Sequence, residues 1–282
     1  MRNVVSVDVE QWFHRHTLRG YVKDIDIPLA TRNVIEATKK ILEVFRKYGK
    51  VTTFFILGEV AELVPELVKQ ISEEGHEIAF HGYSHRRLDE LGETKFKEEV
   101  EKGINTLHRI TKQEPLGFRA PWFSLNNRTA WVLRVLEDKG FKYDSSIFPV
   151  KTPYYGSYAA IDRPYFPSPS DLSKDDPNQK IIEFPMLIRR LWFLKIPAAG
   201  GFYLRLFGPD VIRKSIQITN KKGDPAMCYI HPWEVYGFPK ISLPVHKRLY
   251  VNFRIPCLQS FEKLVKNVDI APAIEIIEDM GI

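Results

Sequence analysis

Apolar and polar positions follow two rhythms through the first half of the chain. Short β-branched and aromatic runs, beginning with Val4–Val9, alternate with longer stretches whose apolar residues recur every three or four positions. That succession predicts βα units on a parallel sheet. Strands are expected at Val4–Val9, 51–56, Glu77–Phe80, 118–120 and 142–145, with helices at 31–48, 59–74, 94–110 and 127–139. In the first helix Val34, Ile35, Ile41, Leu42 and Phe45 share a face and Gly49 follows as a stop; Gly75 stands after the second.

The rhythm breaks at residue 148. Between there and residue 185 seven prolines (149, 153, 164, 167, 169, 177 and 185) stand among Tyr, Ser and Asp, a texture too irregular for a regular element. It reads as a long loop or small insertion, either a lid with a function or a plain structural connection. Strand signals return at 181–184 and 226–230, with a helix at 209–219 between them. Two helices, 257–265 and 272–280, are expected on the barrel exterior. A chain of 282 residues fits one α/β barrel. The expected organisation is therefore a single catalytic domain over 1–282, with 148–185 inserted and 235–282 appended.

Composition narrows the class. With 44% hydrophobic and 27% charged residues the chain can bury a core and is not expected to be disordered. No run approaches the roughly 18 apolar residues of a membrane span, and Asp8 and Glu10 fall where a signal peptide would be apolar. No integral membrane segment and a cytoplasmic location are the expectations. Cys228 and Cys257 form neither a disulfide framework nor a metal-ligand spacing. The net charge of +6 is scattered rather than striped, which speaks against a nucleic-acid partner. Oligomeric state is not written in any of these patterns.

Candidate chemistry sits at the strand ends. His81 and His85, four residues apart after a strand, could converge on one ion, although such a pair is equally at home on a surface or at a helix cap. Asp8 and Glu10, at i and i+2, share one face of an extended strand and could point into one cavity. Arg119 and His231 each follow apolar strand residues, where α/β barrels display catalytic groups. Taken singly, each has a plain structural reading.

Taken in order, these segments resemble the polysaccharide deacetylase family, also called the NodB-homology or carbohydrate esterase family four group. The matching motifs are D-V-E at 8–10, H-G-Y-S-H at 81–85, R-A-P-W at 119–122, Y-D-S-S at 143–146 and I-H-P-W-E at 230–234, so the likeness covers about residues 3–234. Trp12, Phe13 and the A-G-G-F-Y stretch at 199–203 look most like the exopolysaccharide-locus subgroup. The resemblance implies a distorted, incomplete (β/α) barrel. It implies Asp8 as general base, Glu10, His81 and His85 as metal ligands, Arg119 as the residue that holds Asp8, and His231 as general acid. The backbone N–H of Trp122 is the matching oxyanion donor, and Ile230 is expected in the wall of the acyl pocket. Asp144 is the expected partner that orients His231. Tyr203, with its neighbouring glycines, is a candidate for substrate selection, and Arg205 for contact with a phosphate or carboxylate of the substrate.

The ligand set suits a divalent metal, expected to be zinc, with iron, cobalt or nickel also acceptable. One departure is plain: many members carry two adjacent aspartates in the first motif, whereas Asp8 and Glu10 are separated by Val9. The implied activity is removal of an N-acetyl group from an N-acetylhexosamine unit of a glycan or its precursor. Two alternatives stand beside it: hydrolysis of a cyclic amide or ureide, as in allantoinases, and a carbohydrate-binding protein without activity.

Overall fold

Val4–Val9 forms strand β1, buried along its whole length, in a computed structural model that describes residues 1–14, 18, 25–152, 156, 160–192, 194–237, 244–245, 251 and 253–281. Parts of the expected insertion and of the C-terminal appendage, including 153–155, 157–159, 238–243 and 246–250, lie outside the described residues. The other strands are β2 (Thr53–Ile56), β3 (Glu77–Phe80), β4 (Gly117–Phe118), β5 (Tyr143–Asp144), β6 (Pro167–Ser168), β7 (Asp171–Asp175), β8 (Ile182–Glu183), β9 (Ile188–Leu191), β10 (Leu194–Pro197) and β11 (Met227–Ile230). Seven of them make one parallel sheet in the order β11-β1-β2-β3-β4-β5-β8. The sheet curls until Met186, just past β8, forms a parallel bridge with Met227, and the Leu187 N–H donates to the Met227 carbonyl at 2.9 Å. The result is a distorted α/β barrel whose two edge strands meet through that bridge. Its strands come from both halves of the sequence.

The helices differ from expectation where local chemistry overrides the apolar rhythm. Helix α1 (Ile27–Lys47) starts four residues early because Asp26 caps it, accepting the Leu29 N–H at 2.8 Å, and Pro28 suits a first turn. The expected helix over 59–74 is two, α2 (Gly58–Leu63) and α3 (Pro65–Glu73), since Pro65 lacks an N–H and bars Val64 from helical geometry. Next come α4 (Leu88–Thr111), which bends at Gly92 (φ 71°), and α5 (Trp131–Asp138). The segment over 148–185 is not wholly irregular: β6 and β7 pair as a hairpin within it. A second hairpin, β9–β10, and helix α6 (Gly201–Phe207) were not expected at all. Helices α7 (Pro209–Asn220), α8 (Pro232–Tyr236), α9 (Leu258–Asn267) and α10 (Ala273–Asp279) complete the described elements. No helix among the described residues is long and apolar enough to cross a membrane.

At the amino ends of the strands, Glu77 accepts from the Thr53 and Tyr143 hydroxyls at 2.7 and 2.8 Å and from the Ile274 N–H at 3.2 Å, which pins the start of α10 under the sheet. His76 lies beside this layer, 4% exposed, its Nδ1 accepting the Thr52 N–H at 3.1 Å and its ring against Phe54. Burial pushes its pKa down to about 4. A ring whose folded-state pKa lies below the unfolded value of 6.5 stabilises the fold above about pH 6.5 and loses that contribution as pH falls toward 4. The loss is expected to reach roughly 3 kcal/mol at the acid end. The urea midpoint should therefore fall less between pH 7 and pH 4.5 in His76→Asn, whose Oδ1 takes the place of Nδ1 as acceptor for Thr52, than in the wild type. Equal slopes would remove His76 from the acid response.

Candidate active site

In a parallel sheet, register decides which side chains meet at the carboxyl ends of the strands. Val7 stands beside Ile230, Asp8 beside Phe55, Ile56 beside Phe80, and Phe80 beside Phe118. The residues that follow on neighbouring strands, His231, Glu10, His81 and Arg119, therefore emerge at one mouth. Along β1 the two-residue period sends Ser6, Asp8 and Glu10 inward and Val7 and Val9 toward the helices. Arg119 registers this directly, since its Nη1 donates to both Ser6 Oγ at 2.8 Å and Asp8 Oδ1 at 2.5 Å.

Glu10, His81 and His85 are all buried and offer three ligand atoms within 4.8 Å of one another. His81 Nδ1 lies 2.9 Å from the Arg119 carbonyl, which can only accept, so the ring proton sits on Nδ1 and the Nε2 lone pair faces the cluster. Glu10 Oε2 is 3.9 Å from His81 Nε2 and in close contact with His85 Nε2, yet no hydrogen bond of good geometry reaches it. A buried carboxylate oxygen crowded by two imidazole nitrogens and unsatisfied by any hydrogen bond is suited to a cation, and this donor set fits a divalent metal. Burial pushes the His81 pKa down to about 4 and the His85 pKa to about 3. Both rings are thus neutral at pH 7, the form that ligates.

The Asp8–Arg119 pair is fully enclosed. Arg119 is 0% exposed and is further held by the Ser145 carbonyl (3.1 Å to Nε) and Ser145 Oγ (3.0 Å to Nη2), with Phe55 beneath its guanidinium at 3.9 Å. Asp8 thereby keeps its carboxylate fixed beside the cluster, positioned to accept a proton there.

His231 behaves oppositely to His81 and His85. Burial lowers its pKa, but Glu10, Glu234 and Asp8 outweigh burial and the net direction is up. Environments that push neighbouring rings apart in this way suit them to different chemistry. Its side chain is 18% exposed against 4% for Glu10, so His231 forms the open edge of the cluster.

The expected partner of His231 is corrected. Asp144 sits under the Arg119 strand, where it accepts from Ser146 Oγ at 2.5 Å while Ser146 Oγ accepts the Ala120 N–H at 2.7 Å. Burial raises the pKa of both Asp144 and the neighbouring Glu183. The partner of His231 is Glu234, whose Oε2 lies 3.0 Å from Nδ1 and accepts the His231 N–H at 3.2 Å. The spacing His-x-x-Glu at a helix start is a capping box, and that was the available signal.

Two further expectations shift. Ile230 pairs with Val7 on the helix-facing side and is 1% exposed, so it does not wall the mouth; the inward residue one position earlier is Tyr229, 5.4 Å from His231 between ring centres. Arg205 is buried and donates to Glu234 Oε1 at 3.0 Å, so its carboxylate partner belongs to the protein. Tyr203 stands on α6 with its ring toward Phe148 at 6.4 Å. Trp122 lies in the turn after β4, with backbone φ 64°. Its indole N–H lies 3.0 Å from His85 Nδ1 and 3.1 Å from the His85 carbonyl. His85, Trp122 and Phe123 all have positive φ, a strain of about 1–3 kcal/mol each that side chains other than Gly tolerate only when their surroundings enforce it. His14 escaped the sequence reading: its ring stacks on His85 at 4.7 Å, and burial pushes its pKa down to about 3.

Fold and site together define an α/β barrel with a carboxylate–imidazole cluster, an arginine-held carboxylate and a carboxylate-paired histidine at one mouth. Residues 27–143 match the family model described as polysaccharide deacetylase, and residues 145–277 match one described as a domain of unknown function, DUF3473. The peptidoglycan deacetylase of Helicobacter pylori is 33% identical over 128 residues, 44% of this chain and 43% of that protein. The peptidoglycan-N-acetylglucosamine deacetylase of Bacillus cereus is 37% identical over 98 residues, 34% of this chain and 36% of that one. The matched region thus spans less than half of these relatives. A Mycobacterium smegmatis structure assigned provisionally as a polysaccharide deacetylase is similar over 99% of this chain and 89% of that one, with TM-score 0.64 at 19% identity. The PuuE allantoinase is similar over 98% and 89%, with TM-score 0.64 at 16% identity. At such identities the likeness is one of fold.

Proposed function

We propose that the chain is a metal-dependent hydrolase that removes the acetyl group from an N-acetylhexosamine unit of a glycan or its precursor. The observation that carries this reading is the meeting of three separate sets at one barrel mouth: Glu10, His81 and His85 as ligands, Asp8 held by Arg119, and His231 held by Glu234. A divalent ion at that cluster supplies Lewis acidity, which acidifies water and polarises an acyl carbonyl. Asp8, acceptor-only and fixed by Arg119, takes the proton from the attacking water. Trp122 N–H is the donor for the oxyanion that develops at the former carbonyl. His231, at the open edge and held by Glu234, delivers a proton to the departing amine. The glycan beyond the acetamide would lie along the cavity of about 560 Å³ beside the Trp122 turn, lined in part by Arg87, Phe123, Asn126, Phe148, Lys151 and Asp171.

Zinc as the ion, membership of the exopolysaccharide-locus subgroup and a cytoplasmic location belong to the same proposal. The cytoplasmic location favours a nucleotide- or lipid-linked precursor over finished polymer as substrate. Acetate release from a panel of N-acetylated sugars, run with elemental analysis and with ring-opening assays on cyclic ureides, is the test. Acetate from the sugars with stoichiometric metal is expected. Ring opening alone would transfer the reading to a cyclic amide hydrolase, and sugar binding without metal or acetate would leave a binding protein.

A further inference from the structure

Glu234 is held from a direction that the mechanism does not use. Its Oε2 faces His231 Nδ1, while its Oε1 accepts from Arg205 Nη2 at 3.0 Å. Arg205 is 1% exposed, and its Nη1 donates to the Phe253 carbonyl at 2.5 Å, so the guanidinium is tied on both sides. One turn earlier on the same helix, a Cβ on Gly201 would lie 2.0 Å from Glu234 Oε2 and 2.3 Å from its Cδ. The carboxylate therefore occupies the space that any side chain at residue 201 would take. A Cβ on Gly200 would meet the Tyr229 ring at 2.7 Å, so both glycines let α6 press against the end of β11.

We infer that α6, through Gly201 and Arg205, is the positioning element for His231, acting through Glu234. This rests on the reading of His231 as the acid. A carboxylate on Nδ1 fixes the tautomer and the ring plane, as in catalytic triads, and leaves Nε2 as the nitrogen that faces the mouth, 3.4 Å from Glu10 Oε1. As the C–N bond breaks, its electron pair goes to nitrogen and the Nε2 proton follows, leaving neutral imidazole with Nδ1–H still on Glu234. Arg205 balances the charge of the buried Glu234 carboxylate from the side opposite His231. Gly201 and Arg205 touch no reacting atom; their effect is to hold Glu234 in line.

The test uses the full chain as Gly201→Ala, Arg205→Gln and the conservative Arg205→Lys, with two readouts. The first is the downfield imidazole Nδ1–H resonance of His231 in histidine-labelled protein, assigned with His231→Gln. Expected are its loss in Gly201→Ala and Arg205→Gln and its retention in Arg205→Lys. The second is the ratio of acetate release from an N-acetylglucosamine oligomer to hydrolysis of 4-nitrophenyl acetate, whose leaving group departs without a proton. A positioning role lowers the amide rate about 100-fold in kcat with KM little changed, within the usual range for a general acid, and leaves the aryl ester within about threefold. An unchanged resonance in either folded variant, or equal losses on both substrates, overturns the inference. Should Arg205→Gln fail to fold, Gly201→Ala decides alone, since it adds one methyl group at the carboxylate. Should the wild type release no acetate from any amide while the resonance still responds to Gly201→Ala, the deacetylase reading falls and the positioning relay stands.

Discussion

Asp8→Asn is expected to lower acetate release about a thousandfold, within the range for loss of a general base, with metal content unchanged. The substitution is nearly isosteric and keeps an Oδ1 to accept from Arg119 Nη1, so the local geometry survives. What disappears is the basic lone pair and its charge. Since the base acts only as the reaction proceeds, kcat and kcat/KM should fall together while KM stays near the wild-type value. A second consequence is thermodynamic. Arg119 is fully buried, and breaking a buried ion pair costs roughly 3–5 kcal/mol when nothing replaces the partner. Here the Ser6 and Ser145 contacts remain, so the loss should fall short of that range and appear as a lowered Tm in protein that is still folded. Turnover within tenfold of wild type would remove Asp8 as base, and loss of metal would make it part of the ligand set instead.

The distance between sequence and structure at this site follows a pattern. Residues whose position depends on one strand and its neighbour were legible: β1 and β3 have the expected bounds, and Asp8, Glu10, His81, Arg119 and His231 converge because parallel register carries strand-end residues to one mouth. Ile230 failed on the same periodicity, because the two-residue alternation counts Tyr229, not Ile230, onto the face shared with His231. The signal for Glu234 lies within H-P-W-E itself, where the His-x-x-Glu spacing at a helix start makes a capping box. The two serines that follow Asp144 brace Arg119 and the strand around it, so that segment serves the arginine rather than His231. Arg205 could not be assigned from sequence, because its partner lies 29 positions away and a buried arginine carries no local signature. The β9–β10 hairpin was hidden for a different reason. Leu191, Trp192 and Leu194 are 46%, 97% and 52% exposed, so an apolar run there does not mark a core strand.

Removing His81 should abolish both metal binding and turnover. The argument starts from the 2.9 Å contact of Nδ1 with the Arg119 carbonyl, which commits the proton to that nitrogen and the Nε2 lone pair to the cluster. Removing a group that only orients a ligand already costs about 10–100-fold in metal affinity, and removing the ligand itself should cost at least as much. His81→Ala leaves a carboxylate and one imidazole, too few to hold the ion through dialysis. The fold should persist, because the His81 N–H still donates to the Ile56 carbonyl at 2.9 Å and the Asp8–Arg119 pair is untouched. Elemental analysis after dialysis is the measurement, with zinc the proposed ion in the wild type, since two imidazoles and one carboxylate with a fourth position open to water is a known catalytic arrangement for it. Reloading separates the causes. If activity of the wild type is lost to a chelator and restored by added zinc, while His81→Ala is restored by neither zinc nor cobalt, the ligand assignment holds. Wild-type metal stoichiometry in His81→Ala would overturn it and with it the division of labour between the two low-pKa histidines and His231.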